Sequence, residues 1–281
     1  MRLSEGQTSL PQHLLGDQKT LEAVARQNAS AVYLGGQTVL CRLLGKYLVY
    51  ADVQDIGITP HLAMAGYWES WVTSVLARTL RPGWHCVDVG ANHGYYTLIM
   101  ADAVGPTGQV AAVEPTPRLV ELLHKTFDVN GFPSVMLVEQ AASATDGETV
   151  HLLIPALRSL NARLSEDAGP GDTVVDVESV TIDALTADWP RVDLIKIDVE
   201  GEEERVWEGM QRTIAANPNL VVLLELNVGR YQDPLGFVSK IERAGFTLRY
   251  IDMYAAIREV TAAELLERQV GEDWMLYLER R

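Results

Sequence analysis

The chain has 281 residues, 47% of them hydrophobic, and its 38 acidic against 23 basic side chains give a net charge of −15 and a pI near 4.8. Such a surface repels phosphate backbones and argues against a nucleic-acid partner. Two cysteines, Cys41 and Cys86, are too few for a disulfide framework; the start MRLSEGQTSLPQ lacks a signal-peptide core, and apolar runs such as 220–224 are too short for a bilayer, so a cytoplasmic protein without membrane partners is expected.

Residues 1–80 read as an N-terminal extension to a main domain over 81–281. Apolar residues at Leu14, Leu15, Leu21 and Val24 predict one amphipathic helix over 10–27. Two strands, 39–44 and 46–51, turn at Gly45. Gly66-Tyr67-Trp68-Glu69 leads into a helix over 69–80, which Arg81-Pro82-Gly83 ends. Tyr67 and Trp68 are expected to pack the extension on the core, or else to cover a ligand. Tyr67 is a candidate substrate contact and Glu69 a candidate cofactor contact.

The most informative stretch is 86–97, CVDVGANHGYYT. Its apolar run stops at Gly90, as a buried parallel strand does on meeting a turn, and a helix-compatible segment follows Gly94. A dinucleotide turn reads G-x-G-x-x-G. Here the spacing is G-x-x-x-G after an acidic strand residue, Asp88, which suits a cationic amino-acid ligand better than a pyrophosphate. The loop favours S-adenosylmethionine (SAM) over NAD, with Asp88, Gly90, Asn92, Gly94 and Thr97 as candidate contacts. A second strand, 109–113, ends in Glu114, placed to accept hydrogen bonds from both ribose hydroxyls of an adenosine. Thr116 and Pro117 start the next helix, which Asn130-Gly131 ends. After a third strand, Gln140 and Ala141 are candidates to flank a purine.

Strands over 149–154 and 173–182 lack an intervening helix and predict an antiparallel excursion. Asn161 lies between them and is a candidate acceptor contact. The stretch 192–201, VDLIKIDVEG, is a buried strand ending in Asp198 and Glu200, where a parallel sheet presents residues to its ligand crevice. Lys196 alternates with them and is placed to pair with an acid. A further strand, 220–224, ends in Glu225-Leu226-Asn227, and strands over 246–251 and 274–278 surround a helix over 262–269.

VDVGANHGYYT, VAAVEPTP, DLIKIDVEGEE and LLELN, in this order and at these separations, resemble the FkbM-type SAM-dependent methyltransferases from about residue 66 to 227. The resemblance implies an α/β, Rossmann-like class I methyltransferase fold: a mostly parallel seven-stranded sheet with an antiparallel last strand. It also implies methyl transfer to a hydroxyl oxygen, with sugars or polyketide-type natural products as acceptors. The family's cofactor loop maps to Asp88, Gly90, Asn92 and Gly94, its ribose acid to Glu114, and its IDVEG motif to Asp198, Glu200 and Gly201. The first eighty residues and the region 152–173 match the family poorly and are where acceptor specificity is expected.

An alcohol must lose its proton as it attacks an activated methyl, so a base or a Lewis acid is needed. Asp198 is the first candidate base and also a candidate cofactor contact; His93 is the rival, because imidazole titrates near neutrality. Asp198, Glu225 and Asn227 offer an oxygen set suited to magnesium. Glu200 and Asn227 are candidate acceptor contacts. Two other readings remain open: an NAD-dependent oxidoreductase and a non-catalytic SAM-binding protein. A homo-oligomer is compatible with the sequence.

Overall fold

The computed structural model describes residues 9–155, 163–164, 169–267 and 273–280. The helix expected over 10–27 is two helices. Gly16 is extended, and the Asp17 carboxylate accepts the Thr20 N–H at 3.0 Å, so α1 (Gln12–Leu15) stops and α2 (Gln18–Asn28) is capped afresh. Their Leu14, Leu21 and Ala25 are buried. An antiparallel sheet follows: β1 (Ser30–Gly35), β2 (Thr38–Leu43) and β3 (Tyr47–Asp52). The sequence predicts β2 and β3 but not β1, because β1 has no polar–apolar alternation and is exposed along its length. α3 (Thr59–Ala65) and α4 (Ser70–Thr79) then lead to the main sheet.

That sheet begins with β4 (His85–Val89), α5 (Tyr95–Val104), β5 (Gln109–Val113), α6 (Pro117–Asn130) and β6 (Met136–Val138). β7 (Ala141–Ala142), β8 (Thr149–Ile154), β9 (Arg163–Leu164) and β10 (Thr173–Val180) form a separate four-stranded sheet; β8 and β10 pair antiparallel, as expected of an excursion without a helix. After α7 (Ile182–Leu185) the main sheet resumes with β11 (Leu194–Ile197), α8 (Glu203–Glu208), α9 (Gln211–Ala216), β12 (Val221–Leu226) and α10 (Pro234–Arg243). It closes with β13 (Phe246–Thr247), β14 (Arg249–Ile251), β15 (Ile257–Glu259), α11 (Ala262–Glu267) and β16 (Trp274–Arg280).

The strand order is β15-β14-β16-β12-β11-β4-β5-β6, with β13 also on β16. β12, β11, β4, β5 and β6 are parallel, and β16 runs antiparallel between β12 and β14. From β14 to β6 this is the seven-stranded class I methyltransferase sheet, and β15 adds one strand at the edge. β4 has β5 on one side and β11 on the other, so consecutive crossovers leave it in opposite directions. A crevice opens at that switch point, outside the carboxyl ends of the strands.

Both faces of the sheet are covered. One core cluster joins α1, α2, β2, β3, α4 and α5 to the sheet, and a second packs Trp207 and Phe237 against its other face. Residues 9–80 thus share a core with the main domain. Cys41 and Cys86 are buried free thiols. Among the described residues no helix is long and apolar enough to cross a membrane.

Candidate active site

Gly90 turns β4 away at φ +77°, and its N–H and that of Ala91 both donate to the Val113 carbonyl at 3.0 Å. A Cβ at Gly90 would lie 1.9 Å from the Asp198 carbonyl oxygen. Only glycine allows the ends of β4 and β11 to pass this closely. The Asp198 N–H in turn donates to the Val89 carbonyl at 3.1 Å, which fixes Asp198 at the mouth of the crevice. Opposite, at the end of β5, two backbone donors aim the Glu114 carboxylate: Asn92 N–H at 2.8 Å and Thr116 N–H at 2.9 Å. Burial raises the pKa of Glu114, while these bonds from Thr116 and Asn92 oppose the rise. Beyond Glu114 the crevice has apolar walls, including Leu119, Ala141, Leu152 and Leu164.

Below the crevice lies a buried ionic cluster. Lys196, 1% exposed, places Nζ 3.2 Å from Asp198 and 3.8 Å from Asp88, and 4.9 Å from the centre of the Tyr96 ring. Burial alone would favour the neutral amine, but Asp198 and Asp88 outweigh it and hold the ammonium above its ordinary pKa. Asp88 also accepts the Thr97 hydroxyl at 2.6 Å. Asp88 and Thr97 therefore tie β4 to α5 beneath the ligand space and do not line it.

The far end of the crevice is acidic. Asp198, Glu200 and Glu225 each bring one oxygen within 4.8 Å of the others. The ligand set expected from the sequence needs correction here: Asn227 donates to Asp273 at 2.7 Å and accepts the Gly229 N–H at 3.0 Å, so it caps a turn, and Glu200 takes its place in the group. Arg230 already supplies a cation to two of the three acids, at 2.7 Å from Glu200 and 2.7 Å from Glu225. Burial pushes Glu225 well above the usual carboxylate range, and Asp198 and Asp273 add to the rise.

Glu69 accepts the Tyr96 hydroxyl at 2.6 Å. Burial lifts its carboxyl to about 7, against that hydrogen bond, and burial likewise lifts Glu200 to about 7 against Arg230. Both carboxyls therefore hold protons more readily in the folded chain than in the unfolded one. Their stabilising contribution is complete below about 4.5, the ordinary value, and is lost as pH rises through about 7. Glu69→Gln, neutral at every pH, is expected to flatten the fall in stability between pH 5 and 8 by on the order of 2 kcal/mol. Thermal melts across that range measure it, and a pH slope equal to the parent's would show that Glu69 titrates no differently on folding.

Of the sequence-predicted residues, Gly90, Asn92, Glu114, Ala141, Asp198 and Glu200 meet around one crevice. His93 does not, which corrects its reading as the rival base. Its ring is 1% exposed, with Nε2 accepting the Asp52 N–H at 3.2 Å. Burial lowers its pKa, although Asp55 and Asp52 act against this. An imidazole so enclosed meets no methyl acceptor; it joins the turn after β4 to β3. Gly94 starts α5 at φ +81° against Leu123 and Phe127. Gln140 reaches Glu178 at 3.4 Å. Tyr67 bonds Arg26 of α2, whose guanidinium lies 5.2 Å from the ring centre, so it packs the extension together. Asn161 lies outside the described residues.

Leu152 and Leu164, which reach the crevice from the excursion, fall within the 152–173 region expected to hold acceptor specificity but were not singled out, and the sequence reading missed Arg230, which organises the acids. The excursion leucines sit among ordinary strand alternation, and no local pattern marks them. Thr116 holds the N-cap position of α6 as expected, but its side chain makes no capping bond, and the residue lines the crevice.

Comparison with known proteins gives a family match. Residues 88–259 match the family model of the Methyltransferase FkbM domain. Methyltransferase sdnD of Sordaria araneosa is 27% identical over 154 residues, 44% of this chain and 59% of that protein. A protein-L-isoaspartate O-methyltransferase of Methanothrix thermoacetophila is 36% identical over 59 residues, 21% of this chain and 28% of that protein. The chain thus spans under two thirds of the length of these curated relatives. The solved structure of Methyltransferase FkbM from Methylobacillus flagellatus KT aligns at 14% identity and TM-score 0.43, covering 81% of this chain and 55% of that one. The family match takes in more than half of the residues and includes Asp88, Gly90, Glu114, Asp198 and Glu225. The chain belongs to the FkbM methyltransferase domain family.

Proposed function

We propose that the protein is a SAM-dependent O-methyltransferase acting on a hydroxyl group of a small, polyhydroxylated acceptor. One observation carries this reading: Glu114 and Asp198 flank a single crevice, and the bare backbone of Gly90 runs between them. The residues fit SAM on the chemistry of their donor and acceptor groups. Glu114 has lone pairs left for two ribose hydroxyls after accepting two backbone N–H groups. The apolar walls suit a purine. Around the crevice and the cluster beneath it the acids outnumber Lys196 and Arg230, an environment that favours a cationic ligand.

SAM bound there supplies a methyl group activated by its sulfonium. The chain's own residues do the rest. Glu114 and the Gly90 turn hold the adenosine end, and the leucines exclude water from it. Asp198, one oxygen engaged by Lys196 at 3.2 Å, presents the other to the acceptor hydroxyl, aligns it and takes its proton as the C–O bond forms. Glu200 and Glu225, oriented by Arg230, accept hydrogen bonds from neighbouring hydroxyls of the acceptor. Carboxylates accept from hydroxyl groups and repel phosphates, which favours a sugar or polyketide-type acceptor over a nucleic acid. No step is assigned to a metal, since Arg230 already pairs with two of the three clustered acids.

Incubation of a cell-extract metabolite pool with methyl-labelled SAM tests the reading. Label is expected in a small hydroxylated product as an ether methyl. Label confined to protein, RNA or DNA would overturn the acceptor class. Binding of NAD and not SAM in calorimetry would overturn the cofactor.

A further inference from the structure

The outer edge of the N-terminal sheet is unusual for a natural edge strand. β1 pairs with β2 on one side only. Its other edge carries outward backbone N–H and C=O groups with no strand beside them among the described residues. Natural sheets blunt such an edge with charges, proline or a bulge; β1 reads SAVYLG, with no charge or proline, and its one register shift against β2 falls at its end, between Tyr33 and Gly35. Val32, Tyr33 and Leu34 are 58%, 64% and 51% exposed. Met64 of α3, a helix that packs on β1, is 82% exposed. Val32 and Tyr33 are successive strand residues and point to opposite faces, so apolar side chains are exposed on both faces of this edge.

We propose that β1 is the seam of a homodimer, in which the β1 strands of two copies pair antiparallel across a twofold axis and join two three-stranded sheets into one of six. The surface argues for a second copy of this chain. An antiparallel strand pair on a twofold is self-complementary, so β1 supplies its own partner's hydrogen-bonding pattern. The strand is uncharged, so contact there avoids the repulsion that two chains of net charge −15 meet over most of their surfaces. This inference is independent of the acceptor and of the cofactor, because Val32 and Tyr33 line no part of the crevice.

Sedimentation of the full chain over a concentration series, with light scattering, tests the seam. The parent is expected to sediment as a dimer of about twice 31.0 kDa at micromolar concentration. Val32→Lys and Tyr33→Lys should each raise the dimer dissociation constant at least tenfold and leave SAM binding and far-UV circular dichroism unchanged. Hydrogen exchange of the unmodified chain gives a second readout that needs no variant: amides of 30–35 should become protected as concentration rises through the dimer transition. A parent that stays monomeric, or a dimer untouched by both folded variants, overturns the proposal. So does protection of 30–35 that is already complete in the monomer, because a segment of the same chain would then be covering the edge.

Discussion

Asp198→Asn is expected to leave SAM affinity within a few-fold of the parent and to slow methyl transfer by about 10²–10⁴-fold, the usual contribution of a positioned base. The substitution keeps the shape of the side chain and an oxygen for Lys196, now 3.2 Å from the carboxylate, but removes the basic group. The backbone contacts that place the residue, its N–H on Val89 and its carbonyl against Gly90, do not involve the side chain. Single-turnover transfer from labelled SAM, beside calorimetry on the same preparation, separates the effects. If turnover survives and only thermal stability falls, Asp198 is structural and the assignment fails. A chelator that reproduces the defect in the parent, reversed by magnesium or manganese, would move Asp198 from base to metal ligand.

Glu114→Ala should weaken SAM binding by about 1–3 kcal/mol, roughly 5- to 150-fold, because ribose hydroxyls lose their acceptor and the Asn92 and Thr116 N–H groups lose theirs. Part of that loss is loosening of the loop itself. Glu114→Gln, which retains one carbonyl acceptor, should fall between the two. The alanine variant should also bind the demethylated product more weakly, since the ribose is common to both. Unchanged affinity in calorimetry would remove Glu114 from the ribose role.

Much of this architecture is legible in local sequence. The apolar runs ending at Gly90, Glu114 and Asp198 mark buried parallel strands, since both faces of such strands are covered and alternation disappears. The glycine spacing after Asp88 and the break at Asn130-Gly131 report backbone conformations available to few residues. The absence of helical periodicity between β8 and β10 likewise points to their antiparallel pairing. Where local signals competed, boundaries slipped: continuous apolar spacing suggested one helix over 10–27, but the Asp17 cap divides it.

The choice among chemically equivalent residues was left to tertiary structure. His93 and Asp198 both read as bases, yet the fold encloses one against β3 and sets the other at the crevice mouth. Asn227 and Glu200 both read as oxygen donors, and it is the turn after β12 that commits Asn227 to its own backbone. Arg230 drew no notice in the chain, because its role exists only where β11 and β12 bring Glu200 and Glu225 to within 2.7 Å of it. A residue's type and spacing determine which elements form and which chemistry is on hand. Which groups meet is decided by contacts between strands and helices distant in sequence, where burial and pairing are set by neighbours that no local pattern names.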